Sequence, residues 1–221
     1  MFTITVTLQF TSPPAIGSGA QEGTLAQRGF IKDRDGWPYI PATAFKGQLR
    51  HAVERAAQGL SQRVCATHRK MCREASSACP ACRIFGSPWV PGKLRFVDLT
   101  LSGPPELVAQ REKARQENRH IFHPYRYGVS LNRRRNVAGE HLLYTTELFA
   151  PGIPVAFTGD LSGDLELVDA AWVIAGLNLL STIGKSKTGG LGWLQAEAVV
   201  QEDGAVVDTA RLRAAFLQEV A

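Results

Sequence analysis

Four cysteines lie close together in the chain, and they constrain its local fold more than any other feature. Cys65, Cys72, Cys79 and Cys82 are the only cysteines among 221 residues, and the stretch around them is polar and basic. Structural zinc sites take four sulfur or nitrogen ligands in a tetrahedron, and a Cys-x-x-Cys turn commonly supplies two of them. The spacing therefore predicts a structural zinc ion bound by all four cysteines, with His68 in the same loop as an alternative ligand.

The N-terminal segment MFTITVTLQF has neither the basic region nor the continuous apolar region of a signal peptide. No apolar run in the chain reaches the length of a membrane-spanning helix. We therefore expect a cytoplasmic protein without a membrane partner, in which thiols stay reduced and disulfides do not form.

Basic residues are concentrated in two segments. Residues 45–73 hold seven lysines and arginines and one acidic residue. Residues 111–135 hold eight lysines and arginines and two acidic residues. Residues 136–184 hold six acids and no Lys or Arg, so the net charge of +5 conceals a strong asymmetry. Charge segregated in this way predicts basic surfaces that face an anionic partner.

Hydrophobic periodicity predicts the order of helices and strands. Residues 3–10 alternate between apolar and polar, as a half-buried strand does, and a helical pattern follows from Ala42 to about Gln58. Further strands are predicted at 93–101, 141–149, 153–158 and 194–200, with a buried helix from Asp169 to about Ile183 and a short C-terminal helix. This order predicts an α+β fold with a ferredoxin-like βαββαβ core. The predicted core covers about 1–60, 93–101 and 141–221, with a zinc loop at about 61–85 and a projecting insertion at about 103–140.

A glycine-rich loop runs from Gly184 to Gly192. It is not a P-loop, because Leu179 stands where that motif needs glycine, and Gln195 breaks a dinucleotide fingerprint. Backbone N–H groups beside two lysines suit contacts with the phosphates of a nucleic acid. The helix after Pro41 adds Lys46 and Arg50 on one face and His51 close by. Its Gly47 costs about 1 kcal/mol relative to alanine, so it indicates that something approaches the backbone there.

The insertion mixes aromatic residues with arginines and histidines. Aromatic rings stack on bases and arginines neutralise phosphates, so this composition is typical of single-strand binding. A histidine pair, His120 and His123, is also typical of general acid–base catalysis, which leaves a ribonuclease interpretation open. The residues concerned are His120, Phe122, His123, Tyr125, Arg126, Tyr127, Arg133, Arg134 and Arg135.

Four segments, taken together, resemble the RAMP proteins of CRISPR systems, and most closely the backbone subunit of type III effector complexes. They are YIPATAFKGQLRHAVE, CPACRIFGSP, GVSLNRRRNVAGEHLLYTTELFAPGIPVAF and IGKSKTGGLGWL. The resemblance implies a single RAMP domain over residues 1–221, with an RRM-like core and a β-hairpin thumb within the insertion. It implies binding of guide RNA and complementary target RNA in an antiviral ribonucleoprotein. Its partners would be other RAMP subunits and the large polymerase/cyclase subunit.

Carried over by position, the resemblance assigns guide-phosphate contacts to the helix start and to the glycine-rich loop. Together with the insertion, the predicted RNA-binding residues are Lys46, Arg50, His51, His123, Tyr125, Arg126, Arg133, Arg134, Arg135, Gly184, Lys185, Ser186, Lys187, Gly189, Gly190 and Gly192.

One position departs from the pattern of those family members that cleave RNA. They carry an aspartate in the loop after the first strand, and Gln27 stands there when the chain is aligned on Phe30–Asp33. Glutamine is neither a carboxylate metal ligand nor a general base. We therefore expect RNA binding without cleavage. The alternatives are an Mg²⁺-dependent endoribonuclease subunit using Asp33 or Asp35, and a guide-processing ribonuclease using His120 and His123.

Overall fold

The computed structural model describes residues 1–17, 29, 31–65, 70–117, 125–149 and 154–220. Its central sheet is antiparallel. The strands are β1 (Phe2–Phe10), β2 (Leu94–Phe96), β3 (Thr100–Ser102), β6 (Val155–Gly163), β7 (Leu194–Glu202) and β8 (Ala205–Val206). They lie in the order β2-β6-β1-β7-β8, and β3 pairs with β6 beside β2. A separate two-stranded hairpin joins β4 (Tyr125–Asn132) to β5 (Val137–Glu147).

The helices are α1 (Ala42–Gly59), α2 (Pro80–Phe85), α3 (Pro105–Gln116), α4 (Leu167–Asn178) and α5 (Thr209–Val220). On β1, the alternation buries Ile4, Val6 and Leu8 in the core. The intervening threonines lie on the opposite face, where Thr5 donates to Asp160 at 2.8 Å. The alternation thus separates a core face from a polar face.

Close packing brings α1 and α4 together. Gly176 of α4 faces Val53 of α1, and a Cβ atom at Gly176 would stand 2.5 Å from a methyl group of Val53. On α4, Trp172 is fully buried, and its ring meets Phe216 of α5 edge-on at 4.8 Å. The predicted buried helix and the short C-terminal helix are therefore both present.

The α+β prediction is confirmed, with antiparallel sheets and clustered cysteines. Several element bounds differ from those predicted. The strand predicted at 93–101 is broken into β2 and β3, because Leu99 turns aside to pair with Ile40. The helix α3 was not predicted, because its sequence shows no apolar stripe; among its described side chains, only Leu107 is buried. The strand predicted from position 141 begins at Val137 and extends through a hairpin. No helix of the described ranges is both long and apolar enough to span a bilayer.

Asp169 does not begin helix α4, as the sequence suggested; it lies inside the first turn and is fully buried. Glu166 precedes the helix and forms a reciprocal capping box with Asp169. The Asp169 carboxylate also forms an ion pair with Arg83 of α2 and accepts a hydrogen bond from Lys93 Nζ at 2.9 Å. Burial by itself lowers the pKa of Arg83. The attraction of the Asp169 and Glu219 carboxylates is larger than this effect, so the pKa of Arg83 is raised overall. A buried carboxylate with two cationic partners therefore joins α2, the segment before β2, and α4.

Replacing Asp169 by asparagine should destabilise the protein strongly, because Arg83 and Lys93 then lose the anion that compensates their desolvation. We expect a loss of about 3 kcal/mol or more in the free energy of unfolding, measured by urea titration. Asp164→Asn, at an exposed position just after β6, is the matched control and should change stability by less than about 0.5 kcal/mol. Equal stability of the two variants would show that the buried network contributes little.

Candidate metal centre and nucleic-acid interface

The four cysteine sulfurs converge on one point. Cys65 Sγ lies 3.4 Å from Cys72 Sγ, 3.8 Å from Cys79 Sγ and 3.7 Å from Cys82 Sγ. All four sulfurs lie within 4.8 Å of one another, and three of the cysteines are buried. Zinc–sulfur bonds of about 2.3 Å give a tetrahedron with edges of about 3.8 Å. The cluster therefore has the dimensions to hold a metal ion such as zinc.

Local geometry explains how two cysteines are presented together. Cys79 precedes helix α2, and Pro80 occupies the first helical position, where its missing N–H costs nothing. The N–H of Cys79 lies 3.3 Å from Cys72 Sγ. Gly86 ends the helix with φ of 90°. A Cβ atom at this position would lie only 2.8 Å from the backbone nitrogen of Gly92. This tight turn holds the Cys79–Cys82 pair in place.

Without a cation, ionising all four cysteines would be electrostatically unfavourable. Burial, followed by contacts with Cys72 and Cys82, raises the pKa of Cys65 far above its ordinary value. Burial likewise raises the pKa of Cys79. A divalent cation that binds thiolates would remove this penalty.

Arg50 supports the cluster rather than presenting a free charge. Its Nη2 lies 3.4 Å from Cys82 Sγ, its Nη1 donates to the carbonyl of Gly86 at 2.7 Å, and its Nε donates to Glu54 at 2.9 Å. Sequence analysis placed Arg50 with Lys46 on an RNA-facing helix surface. It missed the sulfur partner because 32 residues separate the two side chains in the chain.

Two positions singled out in the sequence lie outside the described residues. They are His68, the alternative zinc ligand, and Gln27, which stands where RNA-cleaving family members carry an aspartate. Within the described ranges, no second group of three or more His, Cys, Asp or Glu side chains converges as these cysteines do. The structure therefore gives no support to an Mg²⁺ site.

The proposed catalytic aspartates lie in a turn. One oxygen of Asp33 accepts the N–H groups of Asp35 at 3.0 Å and Trp37 at 2.8 Å. This is an Asx-type turn, in which the carboxylate shapes the backbone. His120 and His123 fall outside the described residues. RNA binding without cleavage stays the prediction, and cleavage by any of these four side chains stays the alternative.

Two glycines of the glycine-rich loop are required by its shape. Gly184 has φ of 96°, and a Cβ there would stand 2.6 Å from the carbonyl oxygen of Ala15. Gly192 has φ of 72°, and its Cβ would stand 2.1 Å from the carbonyl oxygen of Ile183. A side chain at either position would be strained and obstructed.

Several backbone N–H groups of this loop already have partners inside the protein. Lys185 donates to Ala15 at 2.8 Å, Gly190 to Lys187 at 3.0 Å, and Gly192 to Pro13 at 3.0 Å. The N–H of Gly189 similarly donates to Ser186 at 2.9 Å. The bonds fix the loop's conformation, so phosphate contacts by this loop would depend mainly on its lysine side chains.

Two distant segments, on α1 and β4, contact the loop. Lys187 Nζ lies 3.3 Å from Gln48 Oε1 on α1, and Arg126 Nη1 on β4 donates to the carbonyl of Gly189 at 2.7 Å. Lys46 lies over the ring of Phe96 at 5.7 Å. Within the described ranges, none of Lys46, Arg126, Lys185 and Lys187 forms an ion pair with a carboxylate, and we call these four the loop-side cations. His51 is exposed on the same helix, 4.0 Å from Glu54.

The β4–β5 hairpin is basic at its tip and apolar on one face. Arg133, Arg134 and Arg135 are exposed in the turn, where Asn132 Oδ1 accepts the N–H groups of Arg134 at 3.1 Å and Arg135 at 3.2 Å. Exposed apolar side chains lie on the face that carries half-buried Tyr125; they are Tyr127 (70% exposed), Val129 (43%), Leu131 (64%) and Leu143 (61%). A two-stranded hairpin with an exposed apolar face is marginal alone, so a partner is expected there.

The cysteine geometry predicts about one zinc ion per chain in the purified protein, measured by elemental analysis. Cys82→Ser should lose the metal and lower the melting temperature, because a structural metal site contributes its binding energy to folding. Ala78→Ser, which introduces a hydroxyl one residue before Cys79, should keep both metal and stability. A metal-free sample that is fully folded would contradict the prediction.

Comparison with known proteins agrees with this architecture. A chain of a type III-B Cmr-beta complex, solved by cryo-EM in the apo state, superposes with a TM-score of 0.58 at 13% identity. The alignment covers 89% of this chain and 97% of that chain, and at this identity it supports the fold alone. No curated protein matches the chain. The family model of the RAMP superfamily matches residues 7–195, which is most of the chain, and the protein therefore belongs to the RAMP superfamily.

Proposed function

We propose that this chain is a guide-RNA-binding subunit of a type III-like antiviral ribonucleoprotein that recognises complementary target RNA. The observation that carries the proposal is Gly47. It is exposed in the middle of α1, and a Cβ built there meets nothing within 4 Å. Among the described residues, nothing packs against this position closely enough to require a glycine, although glycine costs helix stability. An RNA backbone that approaches α1 closely would account for it.

The charges around Gly47 suit a phosphate backbone. Lys46 precedes Gly47 in the helix, and Gln48, which follows it, contacts Lys187 of the glycine-rich loop. Arg126 reaches the same loop from the hairpin. Cations without protein carboxylate partners bind phosphates at little desolvation cost, and such contacts position RNA without reading its sequence. Base pairing between guide and target would then supply the specificity.

The hairpin serves as the thumb in this proposal. One face carries Arg126 against the glycine-rich loop, and the other face presents Tyr127 and Leu131 to solvent. Apolar side chains of this kind can wedge between bases, and the arginines at the tip can neutralise nearby phosphates. We place the hairpin between guide and target RNA.

The wider assignment follows from the same proposal. We propose one RAMP domain over the whole chain, with a ferredoxin-like core, a cysteine-bearing insertion and the thumb. The strand order with β1 between β6 and β7, and the packing of α1 against α4, support that core. Zinc would be a structural cofactor at the cysteines, and their reduced state suits the cytoplasm. Other RAMP subunits and the large polymerase/cyclase subunit would be the protein partners.

Removing one loop-side cation should weaken RNA binding without affecting folding. Lys187→Gln should lower affinity for guide RNA several-fold and reduce the slope of log affinity against log salt by about 0.7, the value for one single-strand phosphate contact. Arg213→Gln removes an exposed charge on α5 and is the charge-matched control. Equal losses in the two variants would indicate a general charge effect and contradict the assigned surface.

Gly47→Ala separates helix stability from RNA binding. We expect the free energy of unfolding to rise by about 1 kcal/mol, because alanine is the better helix former. RNA affinity should fall, because the methyl group occupies the space that the backbone of the RNA would use. Both quantities are measured on the same sample, by urea titration and by anisotropy of labelled RNA.

Gly59→Ala is the matched control for this experiment. Gly59 ends the same helix, and a Cβ there also meets nothing within 4 Å. This variant should bind RNA as the parent protein does. If Gly47→Ala bound RNA equally well, the close approach to α1 would be refuted.

A further inference from the structure

An exposed tryptophan lies in the turn that is hydrogen-bonded to the cysteine cluster. Trp89 is 50% exposed, and the guanidinium of Arg73 covers its ring at 5.0 Å from the centroid. Trp37 and Trp172, by contrast, are buried in the core. The Trp89 ring is therefore open to a ligand at the surface, whereas the rings of the two core tryptophans are not.

The turn that carries Trp89 is tightly built. Ser87 Oγ donates to the carbonyl of Cys72 at 2.7 Å and accepts the N–H groups of Trp89 at 3.2 Å and Val90 at 3.0 Å. The N–H of Ser87 donates to Val90 at 2.7 Å, and Val90 itself is buried. The cysteine cluster therefore positions both partners: Cys72 anchors the turn, and Arg73 is the next residue along the chain.

The surface around this pair is basic. A shallow cleft beside the cysteines is lined by Arg63, Lys70 and Arg73, with Glu74 as its one acid. In the described part of the chain, none of the three cations pairs with a carboxylate; Arg63 donates only to the carbonyl of Ser77, at 3.3 Å. Residues 61–73 hold four Lys and Arg and no acid.

We propose that Trp89, Arg73 and the adjacent basic cleft form a second contact for single-stranded RNA, the cysteine-side contact. A base stacks on the exposed part of the Trp89 ring, and Arg63 and Lys70 neutralise the flanking phosphates. Aromatic stacking combined with cations along the backbone is the general mode of single-strand binding. Cations that have no carboxylate partner among the described residues favour a polyanion over an apolar protein partner. The inference rests on the proposed function insofar as the protein binds RNA.

The test uses the intrinsic fluorescence of the full, metal-loaded chain during titration with an unstructured oligoadenylate. Stacking of adenine on Trp89 should quench part of the emission. Trp89→Phe should abolish that part while retaining most of the affinity, because phenylalanine still stacks. Trp89→Ala should weaken binding about fivefold or more, the usual cost of losing one stacked base. Unchanged metal content in both variants shows that the fold is intact.

Trp193→Phe is the spectral control, because Trp193 is exposed to a similar extent, at 46%. RNA should still quench the emission of this variant, because Trp89 is retained. The cysteine-side contact is refuted if Trp89→Phe keeps the whole quenching, if Trp89→Ala binds with parent affinity, or if oligoglutamate quenches Trp89 and RNA does not.

Lys187→Gln distinguishes this contact from the proposed guide-binding surface. That variant should lose guide affinity yet retain quenching at Trp89. Loss of affinity in Lys187→Gln with no effect of Trp89→Ala would leave the proposed function intact and remove the cysteine-side contact. The opposite pattern would keep the cysteine-side contact and refute guide binding at the loop.

Discussion

The buried carboxylate of Asp169 ties the cysteine-bearing segment to the core. Arg83 lies in α2, between the last two cysteines and β2, and Lys93 immediately precedes β2; both meet Asp169 at the start of α4. A fully buried charge is tolerable only with such partners, so the three elements have to fold together. Since α4 packs against α1, the network also sets where the cysteine cluster lies relative to the helix that carries Lys46 and Gly47.

Helix α1 serves two sides of the molecule. Arg50 points towards Cys82 and the carbonyl of Gly86, whereas Gly47 is exposed and Gln48 contacts Lys187 of the glycine-rich loop. A bound metal would therefore stabilise the same helix that is proposed to meet RNA. Loss of the metal should affect RNA binding through the position of α1 and through the turn that carries Trp89.

Patterns that depend on local chemistry were predictable. The alternation in β1, the apolar helix α4 and the convergence of four cysteines all follow from side-chain types at fixed spacings. Helix α3 was not predicted, because it lacks an apolar stripe. The sequence suggested Asp169 as the residue that caps helix α4, because its cationic partners, Arg83 and Lys93, lie 86 and 76 residues away in the chain. Nothing near these positions in the chain reports such partners.

By itself, the sequence determined the α+β class, the metal-binding chemistry of the cysteines and the concentration of cations in two segments, because each depends on composition or short-range periodicity. Only the tertiary structure decided which cations are free. It directs Arg50 to a sulfur and, among the residues that the structure describes, gives Lys46 no carboxylate partner, although the two side chains lie one turn apart on α1. It also brought Lys187, Gln48 and Arg126 together, since hydrogen bonds between distant segments depend on how the sheet and helices pack.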